Sequence, residues 1–213
     1  MSLAHSEVFY TVEEYLALER ASEERHEYLD GQIYAMAGES PQHGDICTNL
    51  TIAIGSQLRG TPCRVWSKDI KVRSGPAPKK GYTTRGLFSY PDLLVVCGAP
   101  QFHDEHKDVL LNPTVIIEAL SPTTESFDRG EKWSRYQTWL PSLTHYILVS
   151  QTKPQLEQFL RQPNGEWLYS LAQGLEKALS LSSIDCKLQL AEVYDRIVFP
   201  VESDEGEDEE TPS

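Results

Sequence analysis

A chain of 213 residues, 39% hydrophobic and 24% charged, can bury a sizeable core and has the composition of a folded domain. No apolar run approaches the about 20 residues that span a bilayer, and the start MSLAHSEVFYTVEEY carries neither a basic cluster nor an apolar stretch. Nothing here suggests a membrane span or secretion, and a cytoplasmic protein is expected.

The net charge of −13 speaks against an anionic partner until its distribution is considered. Seven acids and no base occupy the last twelve residues, which leaves −6 on residues 1–201. We expect one domain over 1–201 and an acidic, self-repelling, disordered tail over 202–213. Between Arg64 and Arg85 stand seven bases and one acid, Asp69. Such a stretch on an acidic protein is a candidate phosphate footprint, with a solvated lysine-rich loop as the alternative. The cysteines, Cys47, Cys63, Cys97 and Cys186, are widely spaced with no C-x-x-C pair. They are expected to be reduced, mostly buried thiols rather than a zinc site.

In chain order, TVEEYLALER (11–20) opens with Thr11 and Glu14 in capping-box spacing and predicts a short helix. RHEYLDGQIYAMAG (25–38) predicts a hairpin around Asp30-Gly31. SPQHGDICTNLTIAIGSQLRG (40–60) has Ser40 as N-cap, Pro41 at the first helical position and Gly60 past the end. Ile46, Leu50, Ala53, Ile54 and Leu58 give that helix one apolar face. Strands follow near 63–66 and 68–73, then a basic Gly/Pro loop (74–86), a strand over 91–98, a polar connection (98–112) and a buried strand over 113–120. A helix over 128–140 is expected to start on an Asp128/Glu131 capping box, with Trp133 and Trp139 packed in the core. A strand over 142–150 leads into a meander of 155–161, the turn Asn164-Gly165, 166–171 and 178–184, closed by a short helix near 190–197. The order predicts an α+β fold with a central mixed β-sheet flanked by helices.

One residue conflicts with its surroundings. VIIEAL (115–120) is a buried strand in every position but Glu118, whose unpaired charge would cost several kcal/mol. If 92–97 and 113–120 are antiparallel neighbours, Asp92 falls across from Glu118 or its immediate neighbours. Two carboxylates at one buried sheet end repel each other unless a cation lies between them, and oxygen ligands select Mg²⁺, Mn²⁺ or Ca²⁺. The alternative is that each acid meets an Arg, a Lys or backbone amides; a glycosidase pair would need a sugar cleft of which there is no sign. Lys132 and Tyr136, four residues apart, share a face of the next helix. A lysine there can orient water or offset developing charge, or simply pair with a nearby Glu.

These residues, in the ordered set PDL … E-x-L-S-P-x-T … D-x-x-x-K-x-x-x-Y, resemble the PD-(D/E)XK restriction-endonuclease-like superfamily. More narrowly they resemble its large bacterial branch of predicted endonucleases, filed as a domain of unknown function. The resemblance runs from about Thr11 to about Pro200 and includes RHEYLDGQIYAMAG and SPQHGDI. It implies that Asp92 and Glu118 are metal-binding acids, with the carbonyl of Ala119 as a further ligand. Leu120 stands where the superfamily's short motif has lysine, and the branch's lysine matches Lys132. Glu27 and His43 match further polar positions that flank the metal or substrate; Tyr136 is left open. The function implied is a Mg²⁺- or Mn²⁺-dependent endonuclease hydrolysing DNA phosphodiesters. Lys68, Lys71, Arg73, Lys79, Lys80 and Arg85 would then meet the DNA backbone, and both-strand cleavage would favour a homodimer. The rivals are a non-catalytic nucleic-acid-binding module and a hydrolase of smaller phosphoesters. His103 and His106 resemble half a transition-metal site, but a solvated loop is the simpler expectation. No phosphate-binding glycine loop or G-x-S-x-G occurs.

Overall fold

The computed structural model of the protein describes residues 9–36, 38–77 and 85–199. The acidic tail, Lys79 and Lys80 lie outside them. Helix α1 (Val12–Ala21) begins on the expected capping box: the Thr11 hydroxyl accepts from the Glu14 amide, and the Glu14 carboxylate accepts from the Thr11 amide at 2.8 Å. Strands β1 (His26–Leu29) and β2 (Gln32–Ala35) form the hairpin. Its turn holds Asp30 at φ 48° and Gly31 at φ 97°, the left-handed pair that Asp-Gly tolerates. Asp30 is anchored further by accepting from the Gly86 amide and by its ion pair with Arg135. Helix α2 (Pro41–Gln57) starts at Ser40, whose hydroxyl accepts from the His43 amide.

β3 (Cys63–Ser67) and β4 (Lys71–Ser74) are followed by β5 (Leu87–Ser89), β6 (Leu93–Cys97), β7 (Val109–Leu110) and β8 (Val115–Ala119). Then come α3 (Glu125–Phe127), a π-helical turn (Asp128–Lys132) and α4 (Trp133–Trp139). β9 (His145–Val149), β10 (Gln155–Arg161), β11 (Trp167–Gln173), β12 (Ala178–Leu181), β13 (Cys186–Gln189) and α5 (Leu190–Val193) complete the chain.

The fold is α+β, as expected, but two larger sheets replace the single one. The six-stranded sheet runs β11-β10-β9-β8-β6-β3 and is mixed, with β8 and β9 parallel. The five-stranded sheet runs β2-β1-β5-β4-β7. The chain leaves one sheet for the other at Lys68, whose φ of 29° breaks what reads as two neighbouring strands. β5, β7 and β13 were not anticipated; each is four residues or shorter, too brief to show a period.

Alternation along the central strands sets the layers. Leu93, Val95, Val115, Ile117, Ile147 and Val149 pack under Ile46, Leu50 and Ile54 of α2. Leu94, Val96, Ile116, Tyr146 and Leu148 face Tyr136 and Leu140 of the second helical unit, with Val72 and Leu87 of the smaller sheet. Trp133 joins this layer, stacked on Phe159 with ring centroids 4.4 Å apart. Trp139 does not: it is 46% exposed, because the buried stripe runs through Lys132, Tyr136 and Leu140 and misses it. Nor is Asp128 a helix cap; it lies within the helical run, ion-paired to Lys132.

The cysteine expectation is half overturned. Cys63 and Cys97 form a disulfide, while Cys47 and Cys186 are free and buried. The two halves stand 34 residues apart in sequence but directly across from each other on β3 and β6. A register of that kind has no local signature.

His145 gives the fold a pH dependence. It is fully buried, with Gln158 Nε2 2.8 Å from Nδ1 and the Ser183 amide donating to Nε2 at 3.3 Å. A second ring proton would displace the bond that Nε2 accepts, and burial pushes the pKa down from 6.5 to about 4. The folded chain therefore takes up this proton later than the unfolded chain does. Stability is complete above pH 6.5 and declines as pH falls towards 4, by up to about 1.4 kcal/mol per pH unit. His145→Gln should remove one proton's worth of that slope in urea unfolding between pH 6.5 and 4; equal slopes would assign the loss elsewhere.

Candidate active site

β6 and β8 pair antiparallel with Leu93 opposite Ile117, so Asp92 and Glu118 are opposite each other as the sequence predicts. Both project from the sheet end on the face that carries Leu94 and Ile116. The Asp92 amide donates to Glu118 Oε2 at 3.4 Å, and Asp92 Oδ2 accepts from the Ala119 amide at 2.7 Å. Ala119 lines the cleft that opens above them.

The helical unit covers this sheet end. Lys132 Nζ lies 2.9 Å from Asp128 Oδ1, 3.4 Å from Glu118 Oε1 and 3.5 Å from Glu27 Oε1. The π-helical turn ends on Lys132, a widening of the kind that recurs at functional sites. Tyr136, one turn on, reaches Glu118 Oε1 at 3.4 Å and Ser89 Oγ at 2.7 Å. From β1, Glu27 accepts from the Tyr90 amide at 3.1 Å. From α2, His43 Nε2 lies 2.8 Å from Asp92 Oδ1. The structure thus brings together Asp92, Glu118, Lys132, Ala119, Glu27, His43 and Tyr136. All but the fully buried Tyr136 line a cleft of about 650 Å³.

Carboxylates outnumber cations here. Glu27, Glu118 and Asp128 meet one buried ammonium, Lys132, while Asp92 has Lys68 beside it. Burial drives the Glu118 carboxyl well above its ordinary range, and Asp128, Asp92 and Glu27 add to the rise against the opposing pull of Lys132. Burial would lower Lys132, but Glu118, Glu27, Tyr136 and Asp128 outweigh it and keep the ammonium charged. Burial also works to raise Asp92; the His43 hydrogen bond, the Ala119 amide and Lys68 overcome it and hold Asp92 below the usual carboxylate range. Burial and Glu118 keep the Tyr136 phenol protonated. An excess of hard oxygen donors around a carboxyl that is costly to ionise is a donor set that fits a divalent cation.

The basic stretch does not form the track expected of it. Lys68 turns into the site, paired with Glu39 and 3.6 Å from Asp92 Oδ1. Lys71 is buried, bonded to Tyr90 Oη at 3.0 Å and to Asp108 at 3.1 Å, and so is not free to meet a phosphate. Arg73 is half-buried and donates to the Gly75 carbonyl. Arg85 is exposed, whereas Lys79 and Lys80 lie outside the described residues. Asp108 pulls Lys71 inward because the loop over 98–112 is itself tied down, with Arg20 on Asp104 and Asp108.

The family model described as "Putative restriction endonuclease", named Uma2, matches residues 12–191. The chain belongs to the Uma2 family. Two relatives of this Uma2 chain are uncharacterised proteins of Synechocystis sp. The protein slr1290 is 33% identical over 187 residues, covering 88% of this chain and 92% of its own. The protein sll1609 is 26% identical over 172 residues, covering 81% and 92%. The crystal structure of a putative nuclease belonging to DUF820 from Anabaena variabilis superposes with a TM-score of 0.69 at 15% identity. It covers 88% of this chain and 99% of its own. The Uma2 chain therefore has the restriction-endonuclease-like fold of the PD-(D/E)XK superfamily. Among the described residues no helix is long and apolar enough to cross a membrane.

From the sequence, Lys68 is assigned to the DNA backbone and Asp128 to a helix cap, and Gln151 is not singled out. Asp128 carried a signal, its four-residue spacing from Lys132, which the capping-box assignment obscured. Gln151, which donates to the Leu120 carbonyl at 2.8 Å and touches His43, had none.

Proposed function

We propose that this protein is a metal-dependent nuclease that hydrolyses DNA phosphodiester bonds. The observation that carries the reading is the meeting of Asp92 and Glu118 at one sheet end, where Glu118, Glu27 and Asp128 converge on the Lys132 ammonium. Asp92, Glu118 and the carbonyl of Ala119 would hold Mg²⁺ or Mn²⁺. Such an ion, when bound, polarises a phosphoryl oxygen and acidifies its water. The chain's own groups do the rest. Lys132 stays charged among Glu118, Glu27 and Asp128 and, with Glu118 engaged by the ion, would turn an N–H to an attacking water or a phosphate oxygen. Tyr136 donates to Glu118 and fixes its rotamer, and His43 does the same for Asp92. Glu27, 3.5 Å from the Lys132 ammonium, helps to hold it. Cleavage of both strands would take two copies, one site on each.

Incubation of plasmid with the protein and Mg²⁺ or Mn²⁺ tests the reading, with Asp92→Asn beside the wild type. Nicking that needs the ion and fails in the variant is expected. DNA binding without cleavage in any ion, unchanged by Asp92→Asn, would leave the non-catalytic module instead. A separate expectation concerns the basic loop. Changing Lys79, Lys80 and Arg85 to Ser should flatten the salt dependence of duplex binding. For each phosphate no longer neutralised, the slope should fall by up to about 0.9 log units of affinity per log unit of salt. An unchanged slope would remove the loop from the interface.

A further inference from the structure

On α2, where His43 lines the cleft, Cys47 stands one helical turn further on, the two residues 7% and 6% exposed. Asp92 faces them. One ligand-capable atom from each of the three lies within 4.8 Å of the other two. Glu39, a turn before His43, brings a carboxylate oxygen to 4.0 Å from His43 Nε2. An imidazole, a thiol and a carboxylate form a softer donor set than the oxygens around Glu118, and thiolate selects Zn²⁺ or Co²⁺ over Mg²⁺. A second cavity of about 250 Å³, lined by Cys47, Thr48, Thr51, Ser67 and Lys68, shares no residue with the main cleft and provides a separate approach.

We propose that His43, Cys47 and Asp92 form a second metal site, of the Zn²⁺ class, whose occupation withdraws Asp92 from the phosphodiester centre and switches it off. The metal site stands on this geometry alone; the switch rests on the role proposed for Asp92 above. Three adjustments accompany loading. Lys68, now the cation beside Asp92 and Glu39, yields its place; its side chain is 19% exposed and borders the second cavity. Cys47 loses its thiol proton to solvent as the metal–sulfur bond forms. His43 changes tautomer. At present Gln151 Nε2, committed to the Leu120 carbonyl, also donates to His43 Nδ1 at 3.1 Å, which assigns the ring proton to Nε2 and points it at Asp92. A metal on Nε2 moves that proton to Nδ1, and Gln151 turns its amide to accept it, the outer partner that metal-bound histidines usually keep.

Cobalt reports on this directly. One equivalent of Co²⁺ added to the full chain should give a thiolate-to-cobalt charge-transfer band and tetrahedral ligand-field bands, both erased by Zn²⁺. Cys47→Ser should lose the charge-transfer band and weaken Co²⁺ binding at least about 100-fold, whereas Glu118→Gln should keep the band. Wild-type protein that shows no thiolate band overturns the site whatever the variants do, as does a band that survives Cys47→Ser. For the switch, stoichiometric Zn²⁺ should stop Mg²⁺-dependent cleavage by the wild type and spare Cys47→Ser. Zn²⁺ bound with cleavage undiminished overturns the switch. An intact cobalt spectrum in a protein that cleaves nothing in any ion counts against the nuclease reading and supports the metal site.

Discussion

Glu118→Gln is expected to lower divalent-ion-dependent cleavage by about a thousandfold or more while raising the melting temperature of the metal-free protein. The two effects share one cause. The carboxylate is surrounded by Asp92, Asp128 and Glu27, and Lys132 is the one buried cation within reach among the described residues. A divalent ion would convert that repulsion into binding, and losing one of the two acidic ligands proposed for it should remove several kcal/mol of transition-state stabilisation. Without the ion, the neutral amide has the same shape and none of the cost of ionisation. The sign with pH follows from the raised Glu118 carboxyl. The folded chain keeps a proton that the unfolded chain releases, so metal-free stability declines as pH rises above the ordinary carboxylate range of 4.5. Glu118→Gln should lack that decline. An ion at 100 times its Kd stabilises the wild type by about 2.7 kcal/mol, and the variant should show little of this in thermal melts. Retained cleavage, or an undiminished ion-induced shift, would place the metal elsewhere.

Lys132→Met is expected to have the opposite effect on stability and a similar one on activity. It preserves the apolar stem but strands Glu118, Glu27 and Asp128 without their common cation, which should cost about 3–5 kcal/mol in the metal-free state. Added Mg²⁺ should restore much of that stability and bind more tightly than in the wild type, since a competing positive charge is gone. Cleavage at saturating Mg²⁺ should nonetheless remain about 10²–10⁴-fold down if Lys132 acts on water or phosphate. Melting curves and single-turnover rates on the same samples separate the two. Recovery of the rate together with the stability would reduce Lys132 to a filler of charge.

Much of the site was legible in the order of residues. Glu118 betrayed itself as the one acid in VIIEAL, and Asp92 as the one acid opening the neighbouring apolar run. Strand alternation with a hairpin-like connection then required the two to meet, and β6 and β8 pair in that register. Leu120, standing where lysine belongs, directed attention to Lys132, whose ammonium does reach Glu118. The helix caps at Thr11 and Ser40 and the Asp-Gly turn were equally plain, because each depends on residues within four positions of one another.

What lies across sequence was not legible. The Cys63–Cys97 disulfide depends on the offset of β3 against β6, the burial of Lys71 on how Arg20 ties down a distant loop, and the division into two sheets on a bend at Lys68. The sequence by itself determined which groups carry charge into an apolar strand end and which helices and turns surround it, since propensity, capping and two-residue alternation act locally. Only the tertiary structure decided which cations answer those charges, with Lys132 buried against Glu118 and Lys68 at the rim. Ion pairing and burial are set by distances between segments that no local pattern encodes.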